Sequence, residues 1–201
     1  LRNIVDMIKR PAWSWGMLNT KRRQFGNIVG HVDGVSDLSS LAAWTAEQFD
    51  PSLSWEDIDR IRDLWQGKLV LKGIMDPEDA ARGVEIGADA IIVSNHGGRQ
   101  LDGSNSTISA LPSIVEAVGK DTEVWLDGRI RTGQDVLKAI ALGADATLIG
   151  RSYLYGLGAL GERGVTQALE ILHKELDMTM ALCGHRAINE VDRDIFSSCP
   201  F

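Results

Sequence analysis

Cysteine is scarce in this sequence. The 201 residues hold only Cys183 and Cys199, too few for a disulfide framework and in keeping with a reducing, cytoplasmic compartment. No apolar run reaches the length of about eighteen residues that a spanning helix needs. The first residues lack the apolar core and small-residue cleavage site of a secretory signal, and they lack an initiator methionine, so a chain that begins mid-protein is expected. No strand-like run is followed by a GxGxxG turn, which disfavours a dinucleotide fold. Excess positive charge is missing too: the net charge of −7 argues against general nucleic-acid binding, and no metal is expected.

What charge there is falls unevenly. Residues 1–30 carry Arg2, Lys9, Arg10, Lys21, Arg22 and Arg23 against the single acid Asp6, a local +5, which leaves −12 for the rest. Trp13, Trp15, Met17 and Leu18 interleave with these cations. Tryptophan at the headgroup level and cations facing anionic lipid are what a membrane-surface segment needs. The alternative is a loop packed on protein. Residues 1–50 are therefore read as a basic, aromatic loop segment that contacts a membrane, and 51–201 as the globular portion. Residues 31–53 read as polar and turn-rich, around Asp33-Gly34-Val35-Ser36-Asp37.

From Ser54 onward a unit repeats. Ser54-Trp55-Glu56-Asp57 opens a helix with Ile58, Ile61, Leu64 and Trp65 on one face. Strands are expected at 69–71, 90–93, 123–126 and 147–149. Helices should follow Asp76-Pro77, cover about 107–118, and start at Thr132 with Asp135 three residues on. A long amphipathic helix bearing Val165, Leu169, Leu172, Leu176 and Met180 ends the series. Gly87-Ala88-Asp89-Ala90 recurs as Gly143-Ala144-Asp145-Ala146, each time between helix and strand. Strand–helix alternation at this spacing implies right-handed crossovers and a parallel sheet, either part of a (β/α)8 barrel or an open doubly wound sheet.

The polar residues gather at one end of these strands. Lys72, Ser94, His96, Arg99, Asp127, Arg131 and Arg151 all lie at or just beyond a strand's C-terminal end, the rim on which barrels build active sites. His96 and Arg99 suit a base paired with a carboxylate clamp. Asp127-Gly128 and Ile149-Gly150-Arg151 offer glycine-flanked N–H groups with Arg131 and Arg151 in reach, a phosphate cradle. Lys72, across the mouth, could stabilise negative charge on a cofactor ring. Each has a bland reading as a rim ion pair or a solvated side chain, and a sugar-phosphate barrel would use the same cradle.

Together these residues resemble the FMN-dependent L-2-hydroxy-acid dehydrogenase and oxidase family, and within it the bacterial cytochrome- or quinone-linked L-lactate dehydrogenases. The resemblance rests on Ser94-Asn95-His96-Gly97-Gly98-Arg99-Gln100, on Leu71-Lys72-Gly73, on Asp127-Gly128 and on Leu148-Ile149-Gly150-Arg151. It implies an α/β fold, the C-terminal half of a TIM barrel (strands five to eight), with the first four strands, the substrate-touching tyrosines and the aspartate that orients the histidine outside this sequence. It implies oxidation of a lactate-like L-2-hydroxy acid to the 2-keto acid, with FMN as cofactor. Electrons would pass to a quinone or cytochrome at the cytoplasmic face of the inner membrane. A peroxide-forming oxidase and a flavin-free interaction module are the alternatives. His96 would act as base and Arg99 would bind the substrate carboxylate. Lys72 would face the N1/O2 side of the flavin and Ser94 would touch the ring. Asp127, Gly128, Arg131, Gly150 and Arg151 would hold the ribityl phosphate. A homo-oligomer, or a second chain completing the barrel, is also implied. Arg129 departs from the pattern, which has glycine or serine there; it either strains a turn that needs positive φ or adds a cation to the cradle.

Overall fold

Asp89 and Asp145, the aspartates of the repeated Gly-Ala-Asp-Ala stretch, explain why that stretch repeats. In the computed structural model each clamps the start of the neighbouring strand. The Asp89 carboxylate accepts from the Leu69 amide (2.9 Å) and its own amide donates to the Leu69 carbonyl (2.8 Å). Asp145 treats Val124 in the same way, at 2.7 and 2.8 Å. The preceding Gly87 and Gly143 are left-handed, with φ of 89° and 100°, and turn the chain from helix toward strand.

The structure describes residues 2–20, 28, 31–32, 38–48 and 50–196. The basic cluster Lys21-Arg22-Arg23, the Asp33–Asp37 stretch and Cys199 lie outside the described residues. The chain divides into two compact units, Leu1–Ser54 and Trp55–Phe201.

In the first unit the loop expected over 1–50 is corrected. Helices α1 (Arg2–Ile8), α2 (Pro11–Asn19) and α3 (Leu38–Gln48) occupy much of it. Pro11 presets the first turn of α2. Its large apolar residues lie all round the helix rather than in a stripe, so periodicity gave no warning. None of the α2 side chains is buried.

The second unit runs α4 (Trp55–Leu64), β1 (Val70–Ile74), α5 (Pro77–Ile86), β2 (Ala90–Val93), α6 (Thr107–Val118), β3 (Glu123–Asp127), α7 (Gly133–Ala141), β4 (Ala146–Leu148), α8 (Arg151–Leu160) and α9 (Glu162–Leu182). The strands form one parallel sheet in the order β1-β2-β3-β4, so consecutive strands are neighbours joined by helical crossovers. Register aligns Leu71, Ile91 and Val124 across three strands, and Asp127 with Leu148 across the last pair. Ile91, Val93, Val124 and Leu126 from the sheet pack with Leu111, Ile114, Val118 and Leu142 into one fully buried core. Caps fix the helix starts. Asp76 accepts from the Glu78 amide ahead of Pro77, and Thr132 and Asp135 form a reciprocal capping box. Within this second unit, the helix that sequence periodicity missed is α8, which lies between β4 and the long helix.

Candidate active site

Three strand ends meet through one hydroxyl. Ser94, buried just after β2, accepts hydrogen bonds from Lys72 Nζ (2.9 Å) and the His96 amide (3.2 Å), and its hydroxyl donates to Asp127 Oδ2 (2.8 Å). A serine hydroxyl has one donor and two acceptor positions, so Ser94 is saturated. Lys72 Nζ also reaches Asp127 Oδ2 directly, at 2.7 Å. The ends of β1, β2 and β3 are thereby locked into a triangle of ammonium, hydroxyl and carboxylate.

That triangle governs the ionisation of Asp127. Partial burial pushes its carboxyl up, but the hydrogen bonds from Lys72 and Ser94, with the Lys72 and His96 charges, outweigh this and hold it below the ordinary 3.8. A depressed folded-state value stabilises the fold fully above about 3.8, and the contribution fades as pH falls through the folded value. Asp127→Asn is therefore expected to be less stable than wild type at pH 7, with a smaller gap at pH 3, below the ordinary carboxylate value, read from urea midpoints at the two pH values. An equal gap at both would contradict the role given to the carboxylate.

The loop after the triangle is strained. His96 has φ of 57°, Gly97 and Gly98 each 70°, so the chain makes a left-handed run through a 3₁₀ turn. For a residue with a Cβ this costs roughly 1–2 kcal/mol. Asn95 holds the turn in place: its side chain accepts from the Gly98 amide (3.1 Å) and donates to the Asn105 carbonyl (3.1 Å). The result projects His96 outward, exposed, with the Gln100 amide nitrogen 3.5 Å from Nδ1. Among the described residues no carboxylate hydrogen-bonds the His96 ring.

Two clefts share His96 as a wall. One, about 520 Å³, is lined by His96, Gly97, Arg99, the Asp127–Arg131 loop, Leu148, Gly150, Arg151, Ser152 and Leu154. The other, about 480 Å³, contains Lys72, Gly73, Met75, Ser94, Asn95, Gln100, Leu101 and Ser104. The larger cleft gathers four guanidiniums, those of Arg99, Arg129, Arg131 and Arg151, against one carboxylate, and that carboxylate is already held by Lys72. Among the described residues none of the four is ion-paired. Gly128 has φ of 138° and a Cβ there would sit 2.6 Å from Thr107 Oγ1, so only glycine lets this loop pass α6. Ser152, at the start of α8, donates to the Ile130 carbonyl (2.8 Å) and so joins the β3 and β4 loops. The Arg151 guanidinium lies over Gly97, 3.5 Å from where a Cβ would stand.

The residues read as site candidates in the sequence are thus distributed over two adjoining clefts, with Lys72, Ser94 and Asp127 in direct contact. Asn95, Thr107, Gln100 and Ser152 were not assigned roles from the sequence. The first and last are ordinary turn and helix-start polar residues whose partners lie in other loops, and no local spacing reveals such partners. A cleft with uncompensated arginines, glycine-lined backbone and the start of α8 at one side fits the phosphate of a nucleotide cofactor.

Comparison with known proteins agrees. The FMN-dependent dehydrogenase family matches residues 1–198. The L-lactate dehydrogenase of Actinobacillus pleuropneumoniae serotype 5b (strain L20) is 44% identical over 195 residues, covering 96% of this chain and 51% of that protein. The L-lactate dehydrogenase of Yersinia pestis (strain Pestoides F) is 45% identical over 194 residues with the same coverage. Among solved structures, the monotopic membrane protein (S)-mandelate dehydrogenase superposes with a TM-score of 0.87 at 40% identity, over 96% of this chain and 50% of its own. A mandelate oxidase with (S)-4-hydroxymandelic acid gives 0.72 at 47% identity, over 78% and 44%. The chain spans about half the length of the curated relatives it matches. Its four parallel βα units are the C-terminal half of the family's (β/α)8 barrel. With the motifs, the cleft and these matches in agreement, the chain belongs to the FMN-dependent dehydrogenase family.

Proposed function

We propose that this chain carries the substrate and phosphate side of an FMN-dependent L-2-hydroxy-acid dehydrogenase acting on a lactate-like acid. The observation that carries this reading is the placement of His96 as the wall between the arginine-rich cleft and the cleft that holds Lys72. When bound, FMN supplies the acceptor for the two electrons that leave the hydroxy acid. The chain's own residues supply the rest. Arg131, Gly150 and Arg151, with the Gly128 backbone, hold the phosphate. Asp127 positions Lys72 and Ser94 rather than meeting the phosphate, since its carboxylate is engaged with both. Lys72 presents a fixed positive charge where negative charge develops on the ring. Arg99 clamps the substrate carboxylate, and His96 takes a proton from the carbon or hydroxyl being oxidised.

The electron acceptor on this reading is a membrane quinone or a cytochrome. Support comes from the first unit. Ile8, Trp15 and Leu18 are 72%, 70% and 62% exposed, and Trp13 and Met17 are exposed beside them. Exposed tryptophans and aliphatics next to Lys9 and Arg10 suit insertion at a headgroup boundary. Among the described residues no helix is long and apolar enough to cross a membrane. The contact on this reading is at the membrane surface, on the cytoplasmic face of the inner membrane. A measurement of products decides between acceptors. With L-lactate and a quinone analogue the purified protein should form pyruvate, and under air alone it should form little. Hydrogen peroxide equal to pyruvate under air would instead establish the oxidase reading.

A further inference from the structure

Resting on that reading, we propose that Arg129 is a specificity-determining residue, a further cation on the phosphomonoester that separates phosphorylated from unphosphorylated flavin. Among the described residues only two non-glycine residues have positive φ, His96 and Arg129, both at 57°. Such a conformation persists only where the surroundings enforce it. Here they do. Ile130 is buried beside it and its carbonyl accepts from the Ser152 hydroxyl, while Gly128 is pressed against Thr107. The loop therefore cannot swing to relax Arg129. Glycine would take this backbone without strain, so a side chain retained at such a place needs a use.

The use is in the cleft. Arg129 lines it together with Arg131, on the other side of the buried Ile130 anchor, and with Arg151 from the start of α8, and the Arg129 guanidinium forms no ion pair among the described residues. The one carboxylate of the cleft belongs to Lys72. A phosphomonoester carries close to two negative charges and three terminal oxygens, enough acceptors for a third guanidinium beyond the two flanking ones. A flavin lacking the phosphate would leave Arg129 with nothing to meet.

Titrations of the wild type, Arg129→Gly and Arg129→Gln with FMN and with riboflavin, followed by quenching of flavin fluorescence, test this. Wild type should bind FMN at least tenfold more tightly than riboflavin. Both variants should lose about tenfold in FMN affinity, the loss expected for one charge-assisted contact, and keep riboflavin affinity within twofold. Arg129→Gly should also melt higher than wild type without ligand, because the left-handed strain is gone, whereas Arg129→Gln should not. The proposal is overturned by a wild type that does not favour FMN over riboflavin, by either variant holding FMN as tightly as wild type, or by equal weakening toward both flavins. A protein that shows the discrimination but whose FMN is not reduced by any hydroxy acid would remove the reaction assigned above and leave this assignment in place.

Discussion

Replacing His96 by Gln should slow reduction of the bound flavin by L-lactate by about 10²- to 10⁴-fold, the range that loss of a positioned general base produces. Glutamine keeps the size and polarity of the side chain, so FMN should stay bound and the visible flavin spectrum of the oxidised protein should be unchanged. The geometry makes the separation of the two effects clean. His96 hydrogen-bonds the Lys72–Ser94–Asp127 triangle only through its backbone amide, which any residue supplies, and its ring acts there only as a nearby charge on Asp127. Its side chain projects outward between the two clefts. Arg99→Met is the companion test: it should raise the half-saturating lactate concentration by about 10- to 100-fold, the loss of a charged hydrogen-bonding partner. Rapid-mixing absorbance at the flavin band reads both. A His96→Gln protein reduced at near wild-type rate would remove His96 from the chemistry.

Gly164→Ala should be strongly destabilising, although alanine in an exposed helix normally gains about 1 kcal/mol over glycine. The reason is a backbone contact between α8 and α9. A Cβ on Gly164 would stand 1.9 Å from the Gly156 carbonyl oxygen, and one on Gly156 would stand 2.3 Å from the Gly164 oxygen. Neither partner is the end of a flexible side chain, so the helices themselves must separate. Overpacking of this kind costs about 1–3 kcal/mol, and more where backbone cannot yield. The consequence reaches the site, because α8 begins at Arg151 and is tied to the β3 loop by Ser152. Thermal melting should show a fall of several degrees in Gly164→Ala, together with weaker FMN binding. A rise in melting temperature would mean that the helices do not meet as described.

The sequence made some of this plain and hid the rest for physical reasons. Strand β2 and helix α6 were bounded by strong turn chemistry, and their limits coincide with the expectation over 90–93 and 107–118. The Gly-Ala-Asp-Ala echo marked two equivalent junctions because the same aspartate clamp is used twice. Strand β1 runs two residues beyond Gly73's predecessor, to Ile74, with an irregular register at Lys72–Ile74 that periodicity does not encode. Helix α2 escaped notice because its apolar residues lie all round it and so carry no 3.6-residue signal, while α1 and α3 lie in stretches read as loop. At the site, residue types marked Lys72, His96, Arg99, Arg131 and Arg151 as candidates, and all five line the two clefts. The left-handed backbone of His96 did not announce itself, since histidine, although enriched at positive φ over other side chains, adopts it in only a small minority of cases. At Arg129 the expectation of a turn needing positive φ, drawn from a departure in the motif, is met by the observed 57°.

The measurement that bears most directly on the central claim is an anaerobic titration of the FMN-loaded protein with L-lactate, followed in the visible flavin absorbance. The account predicts bleaching of the oxidised band with one pyruvate formed per flavin, and no bleaching by D-lactate. A protein that holds FMN yet keeps its oxidised spectrum through excess L-lactate would contradict it.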